Sequence, residues 1–278
     1  MRLGGPLFED VTDPNRWVAA LRRLEYRAAY CPVDSGENGG LVREYARAAA
    51  EADIVIAEVG AWSNPISPDE ETRRTALALC QQRLALADQI GARCCVNIAG
   101  SRSRKWDGPH PENLSTETFD LIVESVRAII DAVKPRRTFY ALETMQWIFP
   151  HSPDAYLALI RAIDRERFAV HLDPVNLVCS PEKYYSNAGL IRECFAKLGP
   201  YIKCCHAKDI DLAEKSTVHL GEVRLGLGGL DYRTFLRELD KLDPDIPLLL
   251  EHLPAAEEYA LAAGHLRQVA KDAGVVLR

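Results

Sequence analysis

The feature that most constrains this sequence is a regular alternation of short apolar runs with longer amphipathic stretches. Eight apolar runs predict strands, at 2–4, 27–31, 54–59, 93–98, 138–143, 168–173, 201–206 and 247–251. Eight amphipathic stretches predict helices, at 14–24, 39–51, 68–90, 116–134, 153–165, 184–198, 232–242 and 255–273. Strand-then-helix units in series build a parallel sheet, and eight such units close a barrel. We therefore expect an α/β fold, a (β/α)8 TIM barrel that takes up residues 1–278 as a single domain.

The alternative for such a pattern is an open, doubly wound parallel sheet. The predicted strands suit either fold, because a run such as Ile54-Val55-Ile56-Ala57 is apolar at every position, as expected for a strand buried on both faces. No glycine-rich phosphate loop follows the first predicted strand, although open nucleotide-binding sheets carry one there. This favours the barrel.

Composition and charge exclude several classes of protein. The formal net charge is −6, which offers no electrostatic reason to expect a nucleic acid or an anionic membrane as partner. No stretch of about 18 apolar residues is present to span a membrane, and the first residues lack the apolar core of a signal peptide. The eight cysteines form no C-x-x-C pair and mostly lie in apolar runs, as in a reducing cytosol. We expect a cytoplasmic protein.

The last four predicted strands of the barrel share one feature, which is that each ends in a side chain able to bind a metal. These strand ends read Ala141-Leu142-Glu143, His171-Leu172-Asp173, Cys204-Cys205-His206 and Leu249-Leu250-Glu251. A single acid after a strand is usually a helix cap or a turn residue. Three acids and a histidine at four successive strand ends are harder to explain in that way, because the carboxyl ends of barrel strands converge on one mouth, where active sites lie.

Three carboxylates and one imidazole form a hard, oxygen-rich set of ligands. Such a set suits Mn²⁺ first, with Mg²⁺, Co²⁺ or Zn²⁺ as alternatives. A structural zinc site would favour thiolates instead. Without a cation the three carboxylates would repel one another, so a metal also explains how they coexist.

At these positions the chain resembles the sugar phosphate isomerase/epimerase group of xylose isomerase-like barrels, which also contains endonuclease IV. The resemblance extends over nearly the whole chain. The segments that carry it are Ala141-Leu142-Glu143, His171-Leu172-Asp173-Pro174-Val175-Asn176, His206-Ala207-Lys208-Asp209, Gly226-Leu227-Gly228-Gly229-Leu230-Asp231 and Leu250-Glu251.

The resemblance implies one divalent metal ion held by Glu143, Asp173, His206 and Glu251. It also implies that Glu143 and Glu251 flank a carbohydrate substrate as catalytic acid and base. The expected activity is a metal-dependent isomerase or epimerase that transfers a proton next to a carbonyl through an enediolate. A keto-sugar or keto-inositol dehydratase or lyase would use the same site, and a non-catalytic barrel subunit is the third alternative. Whether the protein forms a homo-oligomer stays open.

Two departures from the family pattern affect these expectations. Asn176 stands where the family's epimerases often carry a histidine, three residues after the aspartate. Asn97 stands where endonuclease IV has a histidine, and the Asp-x-His pair of that enzyme is missing after the seventh strand. An AP endonuclease is therefore the last alternative.

His219 competes with His206 as metal ligand, because the segment from His219 to Arg224 is similar to one that supplies the metal histidine in some ketose epimerases.

Further side chains near the predicted mouth are candidates for contact with substrate, and each has a structural alternative. Glu58 and Trp62 could bind sugar hydroxyls and a sugar face, or simply anchor a loop. Lys208 could neutralise an enolate or an anionic group, or lie at the surface. The full set of expected substrate-binding residues is Glu58, Trp62, Asn97, His171, Asn176, Lys208 and Arg224.

Overall fold

The computed structural model describes residues 1–9 and 11–278 and contains a closed barrel of eight parallel strands. The barrel strands are β1 (Arg2–Gly4), β2 (Ala28–Tyr30), β3 (Val55–Gly60), β4 (Cys94–Asn97), β5 (Phe139–Glu143), β6 (Phe168–Leu172), β7 (Ile202–Ala207) and β10 (Pro247–Leu250). Around the barrel they follow the order β1, β10, β7, β6, β5, β4, β3, β2. The predicted TIM barrel is therefore confirmed, and each of its strands falls within or next to a predicted apolar run.

Helices surround the barrel and complete the alternation. They are α1 (Pro14–Arg23), α2 (Gly39–Glu51), α3 (Glu70–Ile90), α4 (Thr116–Val133), α5 (Pro153–Ile163), α6 (Pro181–Tyr185), α7 (Asn187–Leu198), α8 (Tyr232–Leu239) and α9 (Ala256–Ala273). The stretch predicted as one helix at 184–198 belongs to two helices, which meet at Ser186. None of the helices in the described chain is both long enough and apolar enough to span a bilayer.

Local capping chemistry explains where several helices begin. The Asp13 side chain accepts hydrogen bonds from the backbone of Asn15 and Arg16, and Pro14 is the first residue of α1. Helix α3 begins two residues later than the predicted start at 68, because Asp69 caps it through the N–H of Thr72 at 2.7 Å. Such caps fix the helix starts close to the strand ends that form the mouth.

The sequence pattern did not predict the antiparallel hairpin of β8 (Asp209–Leu212) and β9 (Leu220–Val223), which follows β7 outside the barrel. Asp209 secures its base by accepting hydrogen bonds from the backbone N–H groups of Gly226 at 3.0 Å and Gly228 at 3.1 Å. Gly226 adopts a φ of 90°, a conformation that favours glycine. The hairpin rises beside the carboxyl ends of the strands and brings Glu222 to the mouth.

The interior of the barrel is lined by small side chains. A separate buried cluster of seven residues from six strands fills it: Ala28, Ala57, Cys94, Val96, Ala141, Cys204 and Leu249. A larger apolar core lies between the barrel and the helices. All eight cysteines are free thiols, six of them buried, as expected for small core residues. Small residues in the barrel leave room above them for polar side chains at the mouth.

Candidate active site

Glu143, Asp173, His206 and Glu251 come together at the carboxyl ends of the barrel strands. Glu143 is the last residue of β5 and His206 lies in β7, while Asp173 and Glu251 directly follow β6 and β10. One ligand atom from each lies within 4.8 Å of the others. The four side chains thus form one cluster, and three of them are buried.

The two glutamates approach the same imidazole nitrogen from different sides of the barrel. His206 Nδ1 lies 3.1 Å from Glu143 Oε1 and 3.0 Å from Glu251 Oε2. Their strands, β5 and β10, are separated in the barrel by β6 and β7. The carboxylates therefore flank the centre of the mouth and do not lie side by side on neighbouring strands.

Lys208 supplies the cationic charge inside this cluster. Its ammonium lies 2.9 Å from Asp173 Oδ2, 2.9 Å from Glu251 Oε2 and 3.5 Å from Glu143 Oε1. Burial alone would lower the pKa of Lys208, but the surrounding carboxylates outweigh it and raise the pKa above its ordinary value. The amine therefore carries its proton at neutral pH.

The acids of the cluster differ in their ionisation. Burial raises the pKa of Asp173 to about 6, even though the Lys208 ammonium acts in the opposite direction. Burial also opposes ionisation of Glu143 and Glu251, but His206 and Lys208 outweigh it and lower the pKa of both. The same acids, together with Glu58, raise the pKa of His206 despite its burial. The two glutamates are thus ionised at neutral pH.

The donor set fits a hard divalent cation. Asp173 Oδ2 and Glu251 Oε2 are buried, yet neither receives a well-directed hydrogen bond from the described residues. What faces both oxygens is the Lys208 ammonium. One ammonium does not balance three carboxylates, so the cluster has negative charge left for a further cation. The three carboxylates and His206 are the residues that would hold such an ion.

Beneath this cluster lies a second, sealed group made of Glu58, His171 and His206. Glu58 Oε2 is 2.8 Å from His171 Nε2, and Glu58 Oε1 is 3.3 Å from His206 Nε2. Burial would raise the pKa of Glu58, but the two imidazoles outweigh it and lower the pKa to about 2. Glu58 and His171 are both buried, and neither lines the cavity above. The structure thus turns both predicted substrate contacts towards His206.

A cavity of about 340 Å³ opens above the four-residue cluster. Its lining includes Glu143, Glu251 and Lys208, together with the predicted contacts Trp62 and Asn176. The Asn176 amide donates to Glu143 Oε1 at 3.1 Å. A side chain on Gly60 would collide with the Trp62 indole, since a Cβ there would overlap with Nε1. The absence of a side chain at Gly60 therefore lets the indole stand beside the mouth.

Three residues singled out in the sequence lie away from this cavity. Asn97 is fully buried and bonds to the backbone of Ser63, because β4 turns Cys94 and Val96, and not Asn97, into the barrel. Arg224 pairs with Glu258 at 2.9 Å. His219 is exposed in the loop that joins β8 to β9 and contacts Thr217 at 2.9 Å. Of the two competing histidines, the structure brings His206 to the carboxylates.

Sequence reasoning missed several residues of the cavity. Glu222 lies 3.8 Å from the Lys208 ammonium, and His252 Nδ1 lies 2.9 Å from Glu222 Oε2. His252 has a φ of 60°, a strained backbone conformation of the kind that clusters at functional sites. Its position directly after Glu251 was the available signal. Trp106 was also missed, and its place in the loop after a strand was the available signal there; Trp147, on the loop after Glu143, lines the cavity as well.

Comparisons with known proteins agree with this architecture. Residues 11–269 match the family model described as a xylose isomerase-like TIM barrel. No curated protein matched the chain. Solved structures that are similar include a xylose isomerase-like TIM barrel protein from Mycobacterium smegmatis in complex with magnesium, which is 20% identical with a TM-score of 0.66 over 94% of this chain and 90% of that one.

Two further similar structures carry named activities. One is D-psicose 3-epimerase with D-tagatose from Clostridium cellulolyticum H10, which is 15% identical with a TM-score of 0.65 over 98% of this chain and 96% of that one. The other is a probable 3-DHS dehydratase from Bacillus anthracis, which is 15% identical with a TM-score of 0.70 over 96% of this chain and 98% of that one. At such identities the likeness concerns the fold.

Proposed function

Because the chain belongs to the xylose isomerase-like TIM barrel family, we propose that it is a divalent-metal-dependent enzyme that isomerises or epimerises a carbohydrate. The reaction is proton transfer at a carbon next to a carbonyl. The observation that carries this proposal is the placement of Glu143 and Glu251, which reach one imidazole nitrogen from two strands that have two other strands between them. Two ionised carboxylates on different sides of a bound sugar suit removal of a proton from one face and return to the other.

The side chains have distinct tasks in this proposal. One glutamate, ionised at the start, accepts the proton from carbon. The other glutamate takes up a proton from water and delivers it to the opposite face of the enediolate, and the first glutamate then returns its proton to water. Lys208 stays protonated and stabilises the negative charge that develops beside Glu251. Asn176 holds Glu143 in place through its amide. Proton transfer by placed side chains contributes about 10²–10⁴ in rate, so charge stabilisation has to supply much of the remainder.

We assign Glu143, Asp173, His206 and Glu251 as the residues that hold the metal. When bound, a divalent ion polarises the substrate carbonyl and neutralises negative charge as it forms. Mn²⁺ is our first choice and Mg²⁺ the next, because the ligand set is rich in oxygen. The magnesium complex of the similar Mycobacterium smegmatis protein supports a divalent ion at such a barrel.

Hydrogen exchange at carbon tests the proposed function. The protein, saturated with Mn²⁺ in deuterated water, is incubated with aldoses, ketoses and their phosphates, and loss of C–H signal is followed by proton NMR. We expect Glu143→Gln and Glu251→Gln each to slow exchange by about 10²-fold or more. Glu258→Gln is the matched control, since Glu258 pairs with Arg224 outside the cavity. Undiminished exchange in both active-site variants would contradict the assignment.

Dehydration of a keto-sugar or keto-inositol is a second candidate, favoured by the likeness to the probable dehydratase from Bacillus anthracis. The same proton abstraction would be followed by departure of a hydroxyl group from the neighbouring carbon. The mass of the product separates the two reactions, because isomerisation conserves the mass of the substrate and dehydration removes one water.

A further inference from the structure

The tryptophans of this chain are concentrated at one place. Of four in the sequence, Trp62, Trp106 and Trp147 all line the cavity above the carboxylates. They follow three successive strands, β3, β4 and β5. Trp62 and Trp106 are 40% and 38% exposed, although large aromatic surfaces are normally buried. The Nε1–H of Trp147 is buried and has no acceptor among the described residues.

Indole rings combine a broad apolar face with one polar N–H group. A sugar ring presents a matching surface, because its C–H bonds form an apolar face while its hydroxyls can accept a hydrogen bond. Three such rings around one opening therefore provide stacking area for a carbohydrate and, at Trp147, an unused donor.

The charges of the cavity disfavour an anionic ligand. Glu143, Glu222, Glu251 and Asp107 line it, and none of the described lining residues is an arginine. Phosphate and carboxylate groups are usually recognised by arginine forks or by free lysines. The one lining lysine, Lys208, is already surrounded by carboxylates. The remaining basic group, His252, is paired with Glu222.

A second common phosphate site, a nest of backbone N–H groups in a glycine-rich loop, is already occupied in this chain. Backbone N–H groups in a glycine-rich loop often form a nest that binds phosphate. Here the N–H groups of Gly226, Gly228 and Leu230 donate to the two carboxylate oxygens of Asp209, at 3.0, 3.1 and 3.0 Å. An acid of the chain itself thus fills this nest, and none of its three donors is among the described residues that line the cavity.

We propose that this enzyme acts on an uncharged carbohydrate, one that carries neither a phosphate nor a carboxylate. This inference rests on the proposed function, because it names the substrate class of the same cavity. Sugar recognition comes from Trp62, Trp106 and Trp147, and discrimination against anionic sugars comes from the acids at the rim, Glu222 and Asp107.

Intrinsic tryptophan fluorescence tests the proposal directly, since three of the four indoles report on this cavity. The Mn²⁺-loaded protein is titrated with matched pairs: D-fructose against D-fructose 6-phosphate, and D-tagatose against D-tagatose 6-phosphate. We expect the neutral member of a pair to bind at least about tenfold more tightly. Equal or tighter binding of the phosphates would overturn the proposal, and so would the absence of any fluorescence change with the neutral sugars.

Substitutions distinguish what the tryptophans contribute to sugar binding by stacking from what Glu222 contributes by its charge. We expect Trp62→Ala and Trp106→Ala to weaken binding of the neutral sugar by about tenfold each, with the milder Trp62→Phe and Trp106→Phe variants retaining most of it. Tyr185→Ala is the control, because that ring is 79% exposed but lies outside the cavity. We expect Glu222→Gln to narrow the gap between the neutral sugar and its phosphate. If Glu222→Gln leaves the difference in affinity between the two sugars unchanged, the role assigned to the acids is contradicted. If Tyr185→Ala weakens binding of the neutral sugar as much as the tryptophan variants do, the role assigned to the indoles is contradicted.

Failure of this inference is distinguishable from failure of the proposed function. Proton exchange on phosphorylated sugars alone would uphold the function and overturn the substrate class. Tight binding of a neutral sugar without exchange at carbon would uphold the substrate class and overturn the chemistry.

Discussion

The mouth of the barrel contains two layers of polar side chains with opposite character. We call Glu143, Asp173 and Glu251 the carboxylate layer; its two glutamates border the open cavity. Glu58 and His171 form the imidazole layer beneath it, where both are sealed from solvent. His206 belongs to both, because its Nδ1 faces the glutamates above and its Nε2 faces Glu58 below.

The two layers differ in their balance of charge. Above, three acids share the single ammonium of Lys208, so negative charge is in excess. Below, one carboxylate meets two imidazoles and is nearly balanced. The upper layer is therefore suited to attract a cation, whereas the lower layer is suited to hold one imidazole in a fixed orientation. β3, which carries Glu58, faces β7 across the barrel, so this support comes from the opposite wall.

Among substitutions outside the four proposed metal ligands, the largest effect on Mn²⁺ affinity should follow from removing Glu58, the support below. When Glu58 accepts a hydrogen bond from the N–H at His206 Nε2, it leaves Nδ1 free as a metal ligand. We expect Glu58→Ala to lower Mn²⁺ affinity by about 10–100-fold and the folding stability by about 3–5 kcal/mol. We expect Glu58→Gln, which keeps an acceptor, to fall between Glu58→Ala and the unaltered protein. Isothermal titration with Mn²⁺ and thermal unfolding measure the two quantities.

The matched control for this experiment is Glu222→Gln, which removes a carboxylate from the rim of the cavity and not from the imidazole layer. We expect it to have a smaller effect on Mn²⁺ affinity than either Glu58 variant. If Glu222→Gln lowers the affinity as much as Glu58→Ala does, the distinction between a binding layer and a supporting layer fails.

Lys208→Met should change Mn²⁺ affinity by a smaller factor and in the opposite direction. This change removes the ammonium that faces Asp173 and Glu251 at 2.9 Å. We expect Mn²⁺ affinity to rise by about tenfold, because the ion no longer shares these oxygens with a fixed positive charge. The metal-free variant should melt at a lower temperature than the unaltered protein, since its carboxylates repel one another, and saturating Mn²⁺ should restore it. Unchanged or weaker Mn²⁺ binding would show that the ammonium does not compete for the site.

Much of the carboxylate layer could be predicted from sequence because it follows from strand order. Glu143, Asp173, His206 and Glu251 each stand at the end of an apolar run, and the closure of the barrel brings such ends together. The position of each of these side chains could be inferred without knowing which residues it contacts from elsewhere in the chain. The helices were predictable for the same local reasons, namely amphipathic periodicity and caps such as Asp13.

The imidazole layer and the rim depend on tertiary contacts that a sequence pattern does not encode. The carboxylate of Glu58 turns inwards because His171 and His206, more than 100 residues away, offer it two nitrogens. Asn97 lies on the outer face of β4 because Cys94 and Val96 take the inner positions, a register that apolar runs leave ambiguous. The strands of the hairpin are short and partly exposed, so no buried run predicted them, and Glu222 was missed with them.

The smallest expected effect belongs to the histidine that the sequence offered as an alternative ligand. His219 is exposed in the loop of the hairpin and contacts Thr217, whereas His206 is buried between the two layers. We therefore expect His219→Ala to leave Mn²⁺ affinity and folding stability almost unchanged, as is usual for exposed positions away from a site. His206→Ala, the matched substitution, should abolish measurable Mn²⁺ binding because it removes a ligand and leaves Glu58 unpaired. A loss of affinity in His219→Ala comparable to that in His206→Ala would mean that the hairpin folds over the mouth when the metal binds. His206 would then no longer be the histidine that connects the two layers to the ion.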